Sequence, residues 1–236
     1  MRTRRNRHPR PKLDDVELAT TWQVVSLLID YPTPATIERL GLLADAVAAL
    51  PGRVREPLVR FLGTLESVPL GQLQSDYVET FDITRRCCLY LTYFAHGDTR
   101  KRGLALVQFK QAYRRAGVEL EEAELPDHLS VVLEFGATCD LEVAWLLLND
   151  HRAGLEMLRI ALAQRSSPWH DVVLALVATL PVLRGDDEDK VAALVAQGPP
   201  SEEVGLGLEP YAMDPRLNPR PSESVDLGLT IPVGAP

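Results

Sequence analysis

Apolar residues recur along most of this chain at the spacing of an α-helix. Near the start, Leu18, Trp22, Val25 and Ile29 fall at i, i+4, i+7 and i+11, which places them on one helix face. The same period returns, between short polar connections, as far as about residue 198. No fixed-length repeat accompanies it, so a solenoid is not expected. The pattern predicts an all-α fold, one helical-bundle domain of roughly nine helices over residues 13–198.

Residues that favour helix ends mark several boundaries. Asp14 suits the first turn of the first helix, where a carboxylate interacts favourably with the helix dipole. Thr33 followed by Pro34 predicts an N-cap and a proline at the first helical position, opening a second helix that continues to Leu50. Gly117 suits the position just after a helix, where a left-handed backbone is common.

The middle of the chain is less regular. Residues 89–94 have the composition of a strand, but helices surround them and no partner strand is visible, so we assign them to a helix. A helix starting at Pro126, a long helix from Leu141 to Gln164 and a short last helix over residues 188–197 complete the prediction.

Charge and proline content set the two ends apart from the body. Residues 1–12 hold six Arg/Lys and no acid, and we interpret them as a disordered, solvated basic arm, with contact to RNA or anionic lipid as the alternative. Residues 199–236 hold eight of the 18 prolines and predict a disordered tail with a net charge of −4. The body between them carries −10, which argues against a nucleic-acid surface and favours a basic partner.

No segment predicts export or membrane insertion. The early arginines are not followed by an apolar stretch, and the longest apolar run, Leu141 to Leu148, is well short of the roughly 18–20 residues that a membrane span needs. We therefore expect a cytoplasmic protein without direct membrane insertion. Three cysteines, Cys87, Cys88 and Cys139, are too few and wrongly spaced for a disulfide framework or a zinc site.

The sequence shows no catalytic constellation, so the protein is not expected to be an enzyme. It has no phosphate-binding glycine loop, no Gly-x-Ser-x-Gly element and no His-Glu-x-x-His pair. His96 with Asp98, and Asp127 with His128, have the residue types of metal-site fragments, but further ligands at suitable spacing are missing. No metal or other stably bound cofactor is therefore predicted.

Two segments carry polar and aromatic groups where a helix core does not require them. The first contains a Tyr-x-x-x-Phe-Asp element at residues 77–82 and a His-Gly-Asp-Thr-Arg-x-Arg-Gly element at residues 96–103. The second contains Glu-Leu-Pro-Asp-His-Leu at residues 124–129. In this combination, order and spacing, over about residues 16–196, the chain resembles the delta subunit of respiratory nitrate reductase, within the NarJ/TorD/DmsD group of molybdoenzyme maturation chaperones.

The resemblance implies an all-helical assembly chaperone that is not part of the finished enzyme. Proteins of this family bind the leader-like N-terminal segment of the catalytic (alpha) subunit and keep the apo-enzyme competent for molybdenum cofactor insertion before it docks on the membrane. The implied partner is that N-terminus, together with the alpha–beta complex and cofactor-synthesis proteins as further candidates. The cofactor is received by the client and is not stably bound by the chaperone.

A basic, amphipathic leader requires an apolar groove with an acidic rim. The predicted peptide-binding residues are Glu124, Pro126, Asp127, His128, Leu129, Glu134, Leu89, Tyr93 and His96. From composition alone, residues 126–128 are better interpreted as a helix start than as a binding site, whereas the resemblance favours leader binding. Arg100 and Arg102 are predicted to contact an anion or a partner, because cations are unfavourable at a helix start; Asp82 is an internal alternative.

Three other functions compete with this one. The first is a chaperone for a different, twin-arginine-exported molybdoenzyme. The second is a helical regulator that grips nucleic acid through residues 1–12, which would give binding that falls steeply with salt. The third is a metalloenzyme built on His96, Asp98, Asp127 and His128, which would require stoichiometric metal.

Overall fold

The computed structural model describes residues 13–97, 99–120 and 124–183, with 189, 192 and 193. Its α-helices are α1 (Asp15–Leu28), α2 (Pro34–Glu38), α3 (Leu40–Ala48), α4 (Gly52–Ser67), α5 (Leu70–Tyr77), α6 (Tyr93–His96), α7 (Arg100–Arg115), α8 (Leu129–Thr138), α9 (Leu141–Asp150), α10 (Arg152–Gln164) and α11 (Trp169–Ala178). A π-helical turn spans Val78–Asp82 and a 3-10 turn spans Arg85–Cys87. The predicted arm 1–12, the tail 199–236 and most of the helix 188–197 lie outside the described residues.

The predicted helix starts follow from side-chain caps. Asp14 accepts a hydrogen bond from the backbone N–H of Glu17, whose carboxylate accepts from the Asp14 N–H in return. Thr33 caps α2 ahead of Pro34, as the sequence indicated. Gly117 follows α7 with φ +80°, the left-handed conformation expected after a helix.

Two predicted helices are each divided in two. The helix expected from Pro34 to Leu50 breaks at Arg39 (φ −89°, ψ 0°), which separates α2 from α3. The helix expected from Leu141 to Gln164 breaks at His151 (φ −107°, ψ 19°). The described part of the chain therefore has eleven α-helices where roughly nine were predicted, and its all-α class is confirmed because no strand occurs in it.

The assignment of residues 89–94 to a helix is wrong for residues 89–92. Leu89 and Tyr90 are extended, and Tyr90 forms an isolated antiparallel bridge with His128. Only Tyr93–His96 is helical. The backbone groups of this segment are satisfied by a distant loop instead of by a helix turn, because the Leu129 N–H donates to the Leu89 carbonyl at 2.9 Å.

The core is built around α1, which packs on α8 and α11, while α11 also packs on α4. Trp22 of α1 is fully buried; it stacks on Trp145 at 6.4 Å and donates its indole N–H to Thr179 Oγ1 at 3.1 Å. Tyr77 and Phe81 are buried against Trp169. Among the described helices, none is both long and apolar enough to span a bilayer.

Candidate functional site

The two segments singled out in the sequence meet in space. The Leu91 N–H donates to the Asp127 carbonyl at 2.9 Å, next to the Tyr90–His128 bridge. The loop before α8 is held from its other side by Tyr113 of α7, whose hydroxyl donates to the Pro126 carbonyl at 2.6 Å. The carbonyls of Pro126 and Asp127 thus accept hydrogen bonds from distant donors and not from a helix turn. The helix α8 begins at Leu129 and not at Pro126, where the sequence predicted its start.

Asp127 lies at the centre of this junction and is fully buried. Its Oδ2 accepts a hydrogen bond from Thr92 Oγ1 at 2.5 Å and lies 3.3 Å from the Thr92 backbone N. Arg102 of α7 approaches the same oxygen, with 3.8 Å between Nη2 and Oδ2, and its Nε donates to Thr92 Oγ1 at 3.3 Å. A buried carboxylate needs such partners, so Asp127, Thr92 and Arg102 together fix both motif segments to α7.

Aromatic rings continue the junction toward the surface. The Arg102 guanidinium lies over the Tyr90 ring, 5.0 Å from its centroid, and Tyr90 meets the His128 ring edge-on at 5.2 Å. His128 Nδ1 is 2.7 Å from Ser130 Oγ. Burial lowers the pKa of His128, against smaller opposing effects of Asp30 and Asp127. At neutral pH His128 is therefore an uncharged member of the site.

The predicted site residues divide into an inner and an outer group. Glu124 and Glu134 are exposed, whereas His96 and His128 are half-buried. The inner residues, which pack in the interior and do not line an open groove, are Leu89, Tyr93, Pro126, Asp127 and Leu129. Leu125, which was not among the predicted site residues, is 40% exposed.

The two arginines predicted to contact an anion are separated by the structure. Arg100 is exposed, while the Arg102 side chain is 15% exposed and turned toward Asp127. Asp127 is thus a counter-charge for Arg102 that sequence spacing did not reveal; Asp82 was the internal candidate. Thr92 and Tyr113 were also missed, although Thr92 stands within a segment already singled out.

The other groups that could bind a metal or react chemically are dispersed in the part of the chain that the structure describes. No three His, Cys, Asp or Glu side chains there are grouped so that they could hold a metal ion, and Asp98 lies outside that part. Cys87 is buried, Cys139 is exposed, and both are free thiols. Burial raises the pKa of the Cys87 thiol, the opposite of what a reactive thiolate needs.

Known proteins similar to this chain share most of its folded part. The NarJ protein of Escherichia coli K12, a nitrate reductase molybdenum cofactor assembly chaperone, is 34% identical over 179 residues, which cover 73% of this chain and 74% of that protein. The probable chaperone of the same name from Bacillus subtilis is 30% identical over 161 residues, covering 68% of this chain and 88% of the relative. The nitrate reductase-like protein NarX of Mycobacterium tuberculosis is 37% identical over 158 residues, but the match spans only 24% of its length.

The chain is also similar to a solved structure and matches a protein family. The crystal structure of a putative redox enzyme maturation protein from Archaeoglobus fulgidus aligns with 81% of this chain and 99% of its own, at a TM-score of 0.49 and 23% identity. The nitrate reductase delta subunit family matches residues 47–175, more than half of the chain and the whole of the junction around Asp127. The chain therefore belongs to the nitrate reductase delta subunit family, the family of the NarJ-type chaperones.

Proposed function

We propose that this protein is the assembly chaperone of a respiratory nitrate reductase. It binds the leader-like N-terminal segment of the apo catalytic subunit and keeps that subunit open for molybdenum cofactor insertion. It acts in the cytoplasm, has no catalytic activity of its own, and leaves before the finished enzyme docks on its membrane subunit. The observation that carries the proposal is the meeting of both family motifs at Asp127, in a chain whose relatives are named as such chaperones.

The outer residues of the junction are the proposed contact surface. Glu124 and Glu134 offer carboxylates to the arginines of a basic leader, and Leu125, next to Glu124 in the chain, offers exposed apolar area. His128 sits half-buried at the edge of this surface. Leu89, Tyr93 and Leu129 are buried, so we assign them a supporting role without direct contact with the leader.

Asp127 acts in this proposal as a positioning residue. Its carboxylate is fully buried and engaged by Thr92 and Arg102, so it holds the loop 124–129 in place instead of meeting the client directly. A variant lacking Asp127 should consequently lose binding through a displaced loop. A variant lacking only the outer carboxylates should lose binding through the missing charges while its fold is kept.

Charge favours the encounter with a basic peptide. Residues 13–198 carry a net −10, and a field of this sign raises the association rate of a cation at low ionic strength. Since the Debye length is about 8 Å at 0.15 M salt, the effect weakens as salt is added. Leader binding should therefore become weaker with increasing salt mainly through slower association.

The test is calorimetric titration with a synthetic peptide of the first residues of the cognate catalytic subunit. A Glu124→Gln, Glu134→Gln variant should bind it at least about tenfold more weakly, since charge-assisted hydrogen bonds contribute about 1.5–3 kcal/mol each. Glu38→Gln, Asp45→Asn is the matched control, because it removes two exposed carboxylates from α2 and α3. An equal loss of peptide affinity in both variants would show that only net charge matters. It would rule out Glu124 and Glu134 as contact residues.

A second peptide distinguishes the proposed client from the competing one. The leader of a twin-arginine-exported molybdoenzyme from the same organism should bind more weakly than the nitrate reductase peptide. The reverse order would keep the chaperone role and reassign the client. Absence of binding to both peptides would contradict leader recognition.

A further inference from the structure

The helix α7 has a charge pattern opposite to that of the rest of the body. It contains six Arg/Lys residues and no Asp or Glu, within a body that carries −10 overall. Phe109 and Tyr113 are its buried anchors, and Arg102 also turns inward. The other five cations are exposed: Arg100, Lys101, Lys110, Arg114 and Arg115.

Two apolar side chains lie in the middle of this exposed basic surface. Leu104 is 69% exposed and Val107 is 49% exposed. With Arg100 and Arg114 they fall at i, i+4, i+7 and i+14, on one side of the helix and away from Phe109. From Arg100 to Arg114 this stripe is about 21 Å long at about 1.5 Å per residue. We call this side, with its flanking lysines Lys101 and Lys110, the basic face of α7.

The cations of the basic face are not used within the described part of the fold. None of Arg100, Lys101, Lys110 and Arg114 forms an ion pair with a described carboxylate. Arginines on other elements do: Arg60 pairs with Asp171 at 2.6 Å, and Arg165 pairs with Glu79 at 3.1 Å. Within the described residues, the charges of the basic face are therefore left without a carboxylate partner.

The start of α7 is also poorly arranged for helix stability. Arg100 and Lys101 stand in the first turn, where the helix dipole disfavours positive charge, and no acid accompanies them. The N-cap residue Thr99 makes no capping hydrogen bond, because its hydroxyl donates to the His96 carbonyl at 2.8 Å instead. A helix start that lacks a capping hydrogen bond and has unfavourable charge, with no gain in stability, is typical of a functional surface.

From these observations we infer that the basic face of α7 is a docking surface for an anionic lipid membrane. Its cations would lie among the lipid phosphates, while Leu104 and Val107 enter the boundary between headgroups and acyl chains. The contact is peripheral and involves no spanning segment. It uses residues other than those of the proposed leader surface at Glu124 and Glu134, so it adds to that function and does not depend on it.

The shape of the face favours a membrane over an acidic peptide. Its stripe is made of side chains of a single helix, α7, whereas a peptide site needs groove walls from more than one element. A planar bilayer surface meets the whole 21 Å stripe at once, at about 1 kcal/mol for each Lys or Arg near an anionic leaflet. The negative charge of the rest of the body opposes binding only weakly, since the Debye length of about 8 Å screens the distant carboxylates.

The test is co-sedimentation of the full chain with vesicles made of equal parts of phosphatidylglycerol and phosphatidylcholine, beside pure phosphatidylcholine vesicles. The wild type should bind the anionic vesicles and not the neutral ones. A Lys110→Glu, Arg114→Glu variant should partition about thirtyfold less, as expected from two interactions of about 1 kcal/mol each. Leu104→Ser, Val107→Ser should weaken binding to anionic vesicles with no change in charge.

Arg53→Glu, Arg55→Glu is the matched control, because it makes the same charge change at exposed positions of α4. It should change partitioning less than twofold, and circular dichroism should show all variants folded. Equal losses in the control and in the α7 variant would overturn the inference, as would an α7 variant that binds like wild type, which would assign lipid binding to another segment. No sedimentation of the wild type would also overturn it and leave an acidic protein as the partner of this face.

Discussion

At the scale of single residues, Asp127 and the groups around it connect the two family motifs. The carboxylate accepts a hydrogen bond from the Thr92 hydroxyl and forms an ion pair with Arg102 at 3.8 Å, while the Asp127 backbone carbonyl accepts from the Leu91 N–H. One buried acid thus joins three parts of the chain: residues 89–97, α7 and the loop before α8. A buried carboxylate that loses one partner keeps its desolvation cost, so this junction should be sensitive to small changes.

Thr92→Val tests this sensitivity with little change in volume. The variant removes the hydroxyl that lies 2.5 Å from Asp127 Oδ2, and we expect the free energy of unfolding to fall by about 1–3 kcal/mol. Thr138→Val is the matched control, since the Thr138 hydroxyl is exposed and bonds only within its own neighbourhood. Urea unfolding followed by circular dichroism measures both; equal, small losses would mean that Asp127 does not depend on Thr92.

At the scale of helices, α1, α8 and α9 pack closely around Gly136. A Cβ added at Gly136 of α8 would come within 2.6 Å of the Ala144 Cβ and of the Trp22 ring, so the helices meet where only glycine fits. Gly63 on the exposed side of α4 has nothing within 4 Å of the same position. The two glycines therefore test packing and helix propensity separately.

Gly136→Ala should lower the free energy of unfolding by about 1–3 kcal/mol, because overpacking forces side chains or backbone to move. Gly63→Ala should leave it unchanged or raise it by up to about 1 kcal/mol through better helix propensity. Thermal and urea unfolding of the two variants give the comparison. A harmless Gly136→Ala would show that α8 is not held against Trp22 as closely as the structure has it.

Helix ends with a local chemical cause could be predicted from the sequence, while long-range pairing could not. Asp14, Thr33 and Gly117 act through neighbouring backbone groups. Thr33 and Gly117 take the predicted roles, while Asp14, predicted in the first turn, is the N-cap just before it. Leu89 is extended because its carbonyl accepts a hydrogen bond from Leu129, forty positions away, which no local pattern shows. The partnership of Arg102 with Asp127 was missed for the same reason.

At the scale of the whole molecule, buried histidines should make stability depend on pH. Burial is the largest effect on His128 and His151 and lowers the pKa of each. The unfolded chain binds these protons below about pH 6.5 and the folded chain does not, so stability is lost as pH falls through that value. We expect a lower free energy of unfolding at about pH 5 than at about pH 7.

Urea unfolding across this pH range measures the effect. The His128→Gln, His151→Gln variant should show a flatter profile than wild type, since two of the groups that take up protons on unfolding are gone. A wild-type profile that is already flat, or one that the double variant leaves as steep, would contradict the assignment to these histidines.

The two proposed binding surfaces of the molecule have opposite charges. Glu124 and Glu134 flank the surface proposed for the client's basic leader, whereas the basic face of α7 is the surface inferred for anionic lipid. Tyr113 of α7 holds the loop of the first surface through the Pro126 carbonyl, so a single helix supports both. Family membership follows from the sequence match, while the assignment of each surface rests on burial and charge in the structure.

The most direct test of the central claim is the molybdenum content of the client. The cognate nitrate reductase catalytic subunit should be produced with and without this chain in a host that makes the cofactor, purified, and analysed for molybdenum per polypeptide. An assembly chaperone predicts nearly stoichiometric molybdenum with the chain present and several-fold less without it. Equal molybdenum content in the two preparations would contradict the claim that this protein serves cofactor insertion.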